Sequence, residues 1–510
     1  MPLTRRSRAL ATAAALGIAA LARPAGTQPR PATAALAGAQ PPASADPRVD
    51  SAPIDDAIQR LAAEVQRLGG TVGVQVLDVS TGRPIAALDE HRAFNPASNA
   101  KLVTAAAALR VLGEQHRFLT GLYGRIGSDA IDELVLRGDG DPSLRTADLW
   151  AMATELRAAG VRRVRAILVD QGFFDERYVP PAFEQQPGEW APFRAPIAAV
   201  SVNENTVLFT VRPARDGHDA LVEVDPPGFV EVGGSVATTD AADPEKVLLG
   251  LELRGARLVA QLGGSVPEGN KVVRLARRVD DPRLLAGYAL RAVLRQVGVE
   301  VGSAKVKLGG ASSKALLVAH RSASLGELLW ALGKESDNFY AEMVFKAIGA
   351  RSKGRPASSE AGAEAVRLAL DEMGVAEAGV VIRNGSGLFD ANRTTAAATT
   401  ALLRAMHRDP GAGPEYLAQL SIGGVDGTLR HRFPEWEPTR AVRAKTGTLD
   451  AVAALSGYVL PPAGRAPVAF SVLVNGIPGK VNAIRGSMDR VVDAIAREVW
   501  KGAPGCPGAP

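Results

Sequence analysis

Three short stretches of the sequence combine nucleophilic, basic and amide side chains at spacings that suit acyl transfer. In the first, residues 96–102, Ser98 and Lys101 stand three positions apart at the head of an Ala- and Leu-rich run. On a helix this spacing places both side chains on one face. A serine hydroxyl attacks well only when a base removes its proton, and a desolvated lysine amine can be that base near pH 7. The backbone N–H of Ser98 at the helix start is also placed to donate to an oxyanion.

The second stretch contains Ser336, Asp337 and Asn338. On a short loop between two helices, Ser336 and Asn338 can both face a cleft. Ser336 is then expected to relay a proton to a leaving group, and Asn338 to hold the lysine amine and a substrate amide. A second S-x-N, residues 201–203, lies in an alternating apolar stretch typical of a strand edge, so we rank it below the first.

The third stretch is Lys445, Thr446, Gly447 and Thr448, just before a predicted pair of strands. Lys445 on an edge strand can bind a carboxylate as a point charge, and the two threonine hydroxyls add donors. Gly447 is expected to let a substrate backbone lie against the strand, and the Thr448 N–H to complete an oxyanion hole with that of Ser98. Each stretch alone is also typical of a helix cap or a turn. Together they predict a serine acyl-transfer site.

The elements around these stretches predict an α/β fold whose antiparallel sheet is built from both ends of the chain. The predicted elements are a helix (53–69), a hairpin (71–80 and 85–88), three strands (441–444, 451–460 and 468–475) and a closing helix (481–500). Residues 120–310 hold short apolar runs split by Gly, Pro and Asp, which predicts mostly β structure, and helical spacing returns at 320–350 and 357–374. This pattern indicates one domain interrupted by a large insert.

Composition excludes several classes of function. The 510 residues are 46% hydrophobic, which allows a large core and two to four folded units. The 59 basic and 54 acidic residues are spread along the chain without the basic stripe that nucleic-acid binding needs. The single cysteine, Cys506, excludes a disulfide framework and a cysteine-based metal site. The six histidines show no H-E-x-x-H spacing and phosphate-loop motifs are absent, so we expect no cofactor and no metal.

The N-terminus has the pattern of a secretory signal peptide over residues 1–22. Three arginines (Arg5, Arg6 and Arg8) precede an apolar run that is shorter than the ~20 residues a spanning helix needs. An uncleaved anchor is the alternative, and both Sec and twin-arginine export remain open. Residues 23–52 are expected to be a Pro- and Ala-rich linker, and residues 501–510 a disordered tail. We therefore expect a periplasmic or otherwise extracytoplasmic protein without an integral membrane segment after cleavage.

The three stretches, in this order, are typical of penicillin-binding proteins and class A β-lactamases. From about residue 53 to 500 the chain resembles the DacB-type class C low-molecular-mass penicillin-binding proteins, peptidase family S13. Further segments similar to that family stand at 137–144, 169–175, 195–205, 384–388, 423–429 and 455–458.

The resemblance implies a transpeptidase domain of the penicillin-binding-protein and β-lactamase type, made of residues 53–121 and 315–500. Residues 122–314 would be an inserted domain, with a module at 213–275 nested in it. The implied activity is a serine D-alanyl-D-alanine carboxypeptidase, with D,D-endopeptidase activity, that acts on peptidoglycan stem peptides and is acylated by β-lactams. Ser98 would attack the penultimate D-Ala carbonyl, and Lys445 with its two threonines would hold the terminal carboxylate.

The chain departs from the family pattern near the site. Family members that act on diaminopimelate peptides usually have an arginine soon after the Gly-Ser-Gly-Leu segment, whereas Phe389 and Asp390 stand there and Arg393 follows later. Glu189 and Trp190 are the nearest substitutes for an aromatic and acidic stretch. The alternatives are a β-lactamase-like serine hydrolase, although no E-x-x-L-N follows the second stretch, and a catalytically slow penicillin- or peptidoglycan-binding sensor. The third residue of the peptide, the balance of the two activities, the insert's partners and the oligomeric state stay open.

Overall fold

Hydrophobic patterns at the two ends of the chain produce one six-stranded sheet. The computed structural model describes residues 49–502, except 187, 216, 304, 313 and 434–439. The predicted signal peptide, the linker up to residue 48 and the tail from residue 503 lie outside the described residues. Among the described helices, none is long and apolar enough to cross a membrane.

The described residues form the following elements. The helices are α1 (Ala52–Arg67), α2 (Ala100–Val111), α3 (Thr146–Ala158), α4 (Leu285–Gln296), α5 (Leu325–Gly333), α6 (Asn338–Lys353), α7 (Ser359–Glu372), α8 (Ala396–His407), α9 (Gly413–Ala418) and α10 (Val481–Trp500). The strands are β1 (Thr71–Asp78), β2 (Pro84–Leu88), β3 (Leu119–Gly124), β4 (Ala130–Gly138), β5 (Arg163–Asp170), β6 (Thr206–Arg212), β7 (Leu221–Asp225), β8 (Val230–Gly234), β9 (Ala237–Thr239), β10 (Lys246–Arg254), β11 (Arg257–Pro267), β12 (Val273–Arg278), β13 (Glu300–Val301), β14 (Lys307–Leu308), β15 (Ala315–Arg321), β16 (Ser421–Ile422), β17 (Val442–Leu449), β18 (Val452–Val459) and β19 (Val468–Asn475).

The first sheet has the order β16-β17-β18-β19-β1-β2, which confirms that strands from both chain ends share one sheet. β1 runs antiparallel to β19, with Thr71 opposite Asn475 and Asp78 opposite Val468. Every residue of β18 is buried because helices cover both faces. α1 and α10 share a core with one face, while α2 and α8 pack on the other. Each large aliphatic side chain buried there contributes about 1.5–3 kcal/mol to stability.

The middle of the chain forms three further sheets. One has the order β13-β5-β4-β3-β15, with β14 also on β5, and the others are β12-β6-β7 and β10-β11-β8 with β9 on β11. The expected β structure is therefore present, but α3 and α4 also lie in this region and pack in its core. The sequence does not predict these two helices, because apolar runs as short as theirs are equally typical of strands. β3 pairs antiparallel with β15, with Leu119 opposite Arg321, so the first and last strands of this region lie side by side in one sheet.

Two local features position the chemistry. β17 continues through Leu449, beyond the predicted end at residue 444, so the third stretch lies within a strand and not before one. Among the described strands, β16 pairs only with Arg443 and Ala444. From Lys445 onward, the side of β17 that faces β16 is therefore unpaired. This agrees with the prediction that Lys445 lies on an edge strand. The helical region predicted at 320–350 breaks between α5 and α6, and this break holds Ser336.

Candidate active site

Ser98 lies on a single 3₁₀ turn, Ala97–Asn99, that leads directly into α2. The turn begins with Ala97 in the left-handed region at φ 46°, and such strained positions concentrate at functional sites. The Lys101 side chain is fully buried, and its Nζ donates to Ser98 Oγ at 3.1 Å, to Asn338 Oδ1 at 2.7 Å and to the Ser386 carbonyl at 2.7 Å. The expected serine and lysine pair is thus in hydrogen-bond contact.

Burial lowers the pKa of Lys101 to about 7, and the carboxylates of Asp337 and Glu342 partly oppose that effect. An amine with this pKa is neutral in a large fraction of molecules at neutral pH. It can therefore accept the proton of the serine hydroxyl that it contacts. This is the property that the sequence argument required of Lys101.

Ser336 lies in the break between α5 and α6, as the sequence predicted, whereas Asn338 is the first residue of α6 and not part of the loop. Ser336 has φ 60°, and Asp337 caps α6 by accepting the Tyr340 N–H at 2.9 Å. Asn338 therefore begins the helix with its amide between two partners: its Oδ1 receives Lys101, and its Nδ2 donates to the Phe193 carbonyl at 3.0 Å. Burial, followed by the charge of Glu204, raises the pKa of Asp337 to about 6.

Lys445 brings the third stretch to the same place. Its buried Nζ donates to Ser336 Oγ at 2.8 Å and to the Thr446 carbonyl at 2.7 Å. Burial, with a further contribution from the positive charge of Lys101, holds the pKa of Lys445 well below its usual range. Thr446 Oγ1 donates to Thr428 Oγ1 at 2.8 Å. An anion bound here would form an ion pair with the Lys445 amine and offset the cost of burying its positive charge.

Gly447 lies at a close approach between β17 and the segment before Ser98. A Cβ built there would lie 2.7 Å from the Pro96 carbonyl oxygen and 3.1 Å from Ala97 Cβ. The glycine therefore allows β17 to approach the turn that carries Ser98, a role that the sequence did not indicate, and the expected room for a substrate backbone stays a prediction. Because of this approach Thr448 and Ser98 line one cleft.

The cleft has a volume of about 670 Å³, and Ser98, Ser336, Asn338 and Thr448 all line it. Residues from two loops also line it: Gln185, Gln186, Phe193, Phe389, Asp390 and Arg393. A cavity of about 760 Å³ lies elsewhere, under the β1–β2 turn, and contains none of the three stretches.

The residues that depart from the family pattern differ in whether they reach the cleft. Arg393 reaches the cleft despite its later position, and its Nη1 and Nη2 lie 2.5 and 3.1 Å from the two carboxylate oxygens of Asp390. The suggested substitutes Glu189 and Trp190 are not among the residues that line the cleft. Trp190 instead stacks with Arg278, whose Cζ lies 5.5 Å from the ring centre.

The lower-ranked S-x-N does not contribute to the cleft. Asn203 begins a 3₁₀ turn and not a strand edge, and residues 203–205 all have positive φ. Its side chain bonds Thr146 and Asp225, and Ser201 Oγ donates to the Ala198 carbonyl at 2.8 Å. We therefore correct its predicted position, while its low rank as a site motif agrees with this geometry.

Sequence reasoning gave no role to several residues that hold the site. The Ser386 carbonyl binds Lys101, and Glu342 accepts the backbone N–H groups of Gly385 and Ser386. A glycine in this segment is the one sequence feature that could have indicated its role. Gly387 has φ 75°, and a Cβ there would lie 1.8 Å from the Ala97 carbonyl oxygen. Among the described residues, no group of three or more His, Cys, Asp or Glu side chains is arranged to hold a metal ion.

Comparison with known proteins agrees with this geometry. The model of the D-Ala-D-Ala carboxypeptidase 3 (S13) family matches residues 54–496. The D-alanyl-D-alanine carboxypeptidase of Actinomadura sp. (strain R39) is 36% identical over 439 residues, 81% of this chain and 79% of that protein. The D-alanyl-D-alanine carboxypeptidase DacB of Haemophilus influenzae is 26% identical over 416 residues, 80% of this chain and 86% of that protein.

Solved structures show the same fold. The crystal structure of penicillin-binding protein 4 (dacB) from Haemophilus influenzae has a TM-score of 0.70 at 24% identity and covers 85% of this chain and 98% of that one. Its complex with a β-lactam has a TM-score of 0.67 at 25% identity, with 86% and 99% covered. With the family match over most of its length, the chain belongs to the D-Ala-D-Ala carboxypeptidase 3 (S13) family of enzymes.

Proposed function

We propose that this chain is a serine D-alanyl-D-alanine carboxypeptidase that removes the terminal D-Ala of peptidoglycan stem peptides through an acyl-enzyme on Ser98. The observation that carries the proposal is the 3.1 Å hydrogen bond between Ser98 Oγ and the buried Lys101 amine, whose pKa burial lowers to about 7. A nucleophile in contact with a base that is neutral at working pH is the central requirement of covalent acyl transfer.

In the first half-reaction Ser98 Oγ adds to the carbonyl carbon of the penultimate D-Ala, and Lys101 Nζ takes its proton. The backbone N–H groups of Ser98 and Thr448 hold the oxyanion, which is stabilised in the transition state more than the neutral carbonyl. The carbon–nitrogen bond then breaks, and Ser336 relays a proton to the departing amine. In the second half-reaction water adds to the ester, releases the shortened peptide and restores the serine hydroxyl.

The terminal carboxylate of the substrate is assigned to Lys445, Thr446 and Thr448. The support is electrostatic: the Lys445 amine is fully buried, and within the described part of the chain its hydrogen-bond partners are Ser336 Oγ and the Thr446 carbonyl, with no carboxylate among them. A substrate without a terminal carboxylate leaves this cation uncompensated and is expected to react more slowly. The unpaired edge of β17 from Lys445 onward gives the peptide backbone its donors and acceptors.

The finer parts of the function belong to the same proposal. D,D-endopeptidase cleavage of cross-linked peptides uses the same chemistry with a longer leaving group, and β-lactams acylate Ser98 because their amide takes the place of the D-Ala bond. A slow penicillin-binding sensor and a β-lactamase-like hydrolase are the alternatives. The protein acts outside the cytoplasm after export through residues 1–22, which sequencing of the mature N-terminus would test.

We also propose a catalytic domain of residues 53–121 and 315–500 around an inserted domain of residues 122–314, with a module at 213–275 nested in it. The division is supported by the sheets, since the sheet β16-β17-β18-β19-β1-β2 contains no strand from residues 122–314, although β15 and the start of β3 pair within a sheet of the inserted region. The pairing of β3 with β15 favours borders at their outer ends, near Leu119 and Arg321. Limited proteolysis with mass mapping would test these borders.

Mass spectrometry of peptide products tests the activity. The purified protein is incubated with a disaccharide pentapeptide and, separately, with its cross-linked dimer, beside Ser98→Ala and a surface control, Ser303→Ala. Loss of one alanine by the wild type and the control but not by Ser98→Ala is the expected result, and splitting of the dimer adds the endopeptidase. Penicillin acylation at Ser98 without any peptide cleavage would support the sensor, and rapid release of hydrolysed penicillin would support the β-lactamase alternative. Absence of acylation at Ser98 would refute the proposal.

A further inference from the structure

A buried carboxylate on α6 has no part in the steps above. Glu342 lies one helical turn after Asn338 and is 1% exposed. Its Oε1 accepts the Ser386 N–H at 2.8 Å, and its Oε2 accepts the Gly385 N–H at 3.1 Å. The carbonyl of the same Ser386 receives the Lys101 amine at 2.7 Å. The carboxylate is thus joined to the base through the backbone of one residue, Ser386.

The geometry suits the ionised form of Glu342. Both of its oxygens accept hydrogen bonds from N–H groups, and a protonated carboxyl would bring a donor against one of them. Burial raises the pKa of Glu342, while the N–H donors and the positive charge of Lys101 act in the opposite direction. A buried carboxylate kept in this form indicates that its charge is matched by a nearby cation.

Lys101 is the cation that matters for the reaction. The charged groups that act on its amine are Asp337 from the α5–α6 turn, Glu342 from α6 and Lys445 from β17. Lys346, one turn further along α6, also interacts with Glu342 but forms its own ion pair with Asp175. Removing the charge of Glu342 therefore removes one of the anions that favour the protonated Lys101 amine, while the opposing charge of Lys445 remains.

We propose that Glu342 is a positioning residue for acyl transfer: it fixes the Ser386 carbonyl against the Lys101 amine, and its negative charge favours the protonated amine. Because the inference rests on the proposed role of Lys101 as base, it predicts a pH effect as well as a rate effect. With Glu342 neutral, Lys101 loses its proton at lower pH, and acylation stays active in more acidic solution. A residue that only supported the fold would change the rate equally at every pH.

The test measures acylation of the whole protein by a chromogenic cephalosporin, by stopped flow from about pH 5 to about pH 9. Three variants are compared with the wild type: Glu342→Gln, Glu342→Asp, and the control Glu335→Gln, which removes an exposed carboxylate next to Ser336. For Glu342→Gln we expect the acid limb of the rate profile to move about one pH unit lower, the effect typical of a nearby opposite charge. Its plateau rate should fall several-fold, because an amide oxygen replaces only one of the two acceptors.

The other two variants separate the effect of the Glu342 charge from the effect of its side-chain length. Glu342→Asp keeps the charge on a shorter side chain, so its acid limb should match the wild type while its rate falls about tenfold. Glu335→Gln should match the wild type in both respects. If Glu342→Gln fails to fold, Glu342→Asp decides, since a wild-type acylation rate in that variant would overturn the positioning role.

The experiment distinguishes failure of the proposed function from failure of the role of Glu342. A wild-type protein that is not acylated, or whose acylation shows no acid limb, refutes the proposed function. A wild type with an acid limb that Glu342→Gln leaves in place, or moves to higher pH, refutes only the role of Glu342.

Discussion

Replacing the proposed base with a neutral side chain, Lys101→Met, should abolish acylation and at the same time make the folded protein slightly more stable at neutral pH. Burial lowers the pKa of this amine from 10.5 to about 7. Since one pKa unit is 1.36 kcal/mol, the buried lysine costs the fold about 5 kcal/mol at pH 7. Methionine has a similar length and no charge, so this cost disappears.

The lost hydrogen bonds reduce the gain. Lys101→Met leaves Asn338 Oδ1 and the Ser386 carbonyl without the donor that each now has at 2.7 Å. Each buried acceptor left unpaired costs about 1–3 kcal/mol. The two losses together cost about 2–6 kcal/mol against a gain of about 5 kcal/mol, so the net change lies between a loss of about 1 and a gain of about 3 kcal/mol. The middle of that range is a stabilisation of about 1 kcal/mol, which for a chain of this size raises Tm by about 1–2 °C.

The pH dependence has a definite sign. A lysine whose pKa is lower in the folded than in the unfolded chain makes the folded protein bind fewer protons between these two values, so wild-type stability rises as the pH rises from about 7 toward 10.5. The advantage of Lys101→Met should therefore be largest at or below about pH 7 and should shrink as the pH approaches about 10. The matched variant Lys101→Arg keeps a permanent charge in the same site and should lower Tm at every pH.

Differential scanning fluorimetry across this pH range, with penicillin labelling in parallel, provides the measurement. A Tm for Lys101→Met more than about 2 °C below that of the wild type at pH 7, or a difference in Tm that does not change with rising pH, would show that the buried lysine stabilises the fold and would refute the reasoning. Unchanged penicillin labelling would show that another group is the base.

Two further predictions concern the groups that hold the site. Gly387→Ala places a Cβ 1.8 Å from the Ala97 carbonyl oxygen in a left-handed position, so it should lower both Tm and the rate of penicillin acylation. The control Gly113→Ala has the same positive φ with nothing within 4 Å and should cost only the ~1–2 kcal/mol of the backbone conformation; equal effects of the two would contradict the role of close packing. Lys445→Met should lower kcat/KM for the pentapeptide by about 100-fold or more through loss of the carboxylate's partner, whereas an amidated peptide should lose far less; equal losses for both peptides in steady-state kinetics would contradict that assignment.

Much of the site could be predicted because its residues have types that acyl transfer requires. The sequence points to Ser98, Lys101, Ser336, Asn338 and Lys445. In the structure Lys101 bonds Ser98 and Asn338, Lys445 bonds Ser336, and both hydrogen-bonded groups contribute side chains to one cleft. Their supports could not be predicted in the same way. The Ser386 carbonyl acts through its backbone, so no side-chain type marks it, and Gly447 serves the approach of β17 to the Ser98 turn, which no pattern within the strand reveals.

The sequence by itself determined the chemistry and the order of elements: the helix and hairpin at one end, the strands and helix at the other, and the three stretches between them. Those signals are local, since they depend on side-chain type and on spacing within one element. Only the tertiary structure decided how deeply Lys101 and Lys445 are buried, that Glu342 reaches the Gly385–Ser386 backbone, and that Arg393 lines the cleft while Trp190 does not. Burial, pKa and the lining of the cleft depend on contacts between residues distant in the chain, and those contacts exist only once the chain has packed.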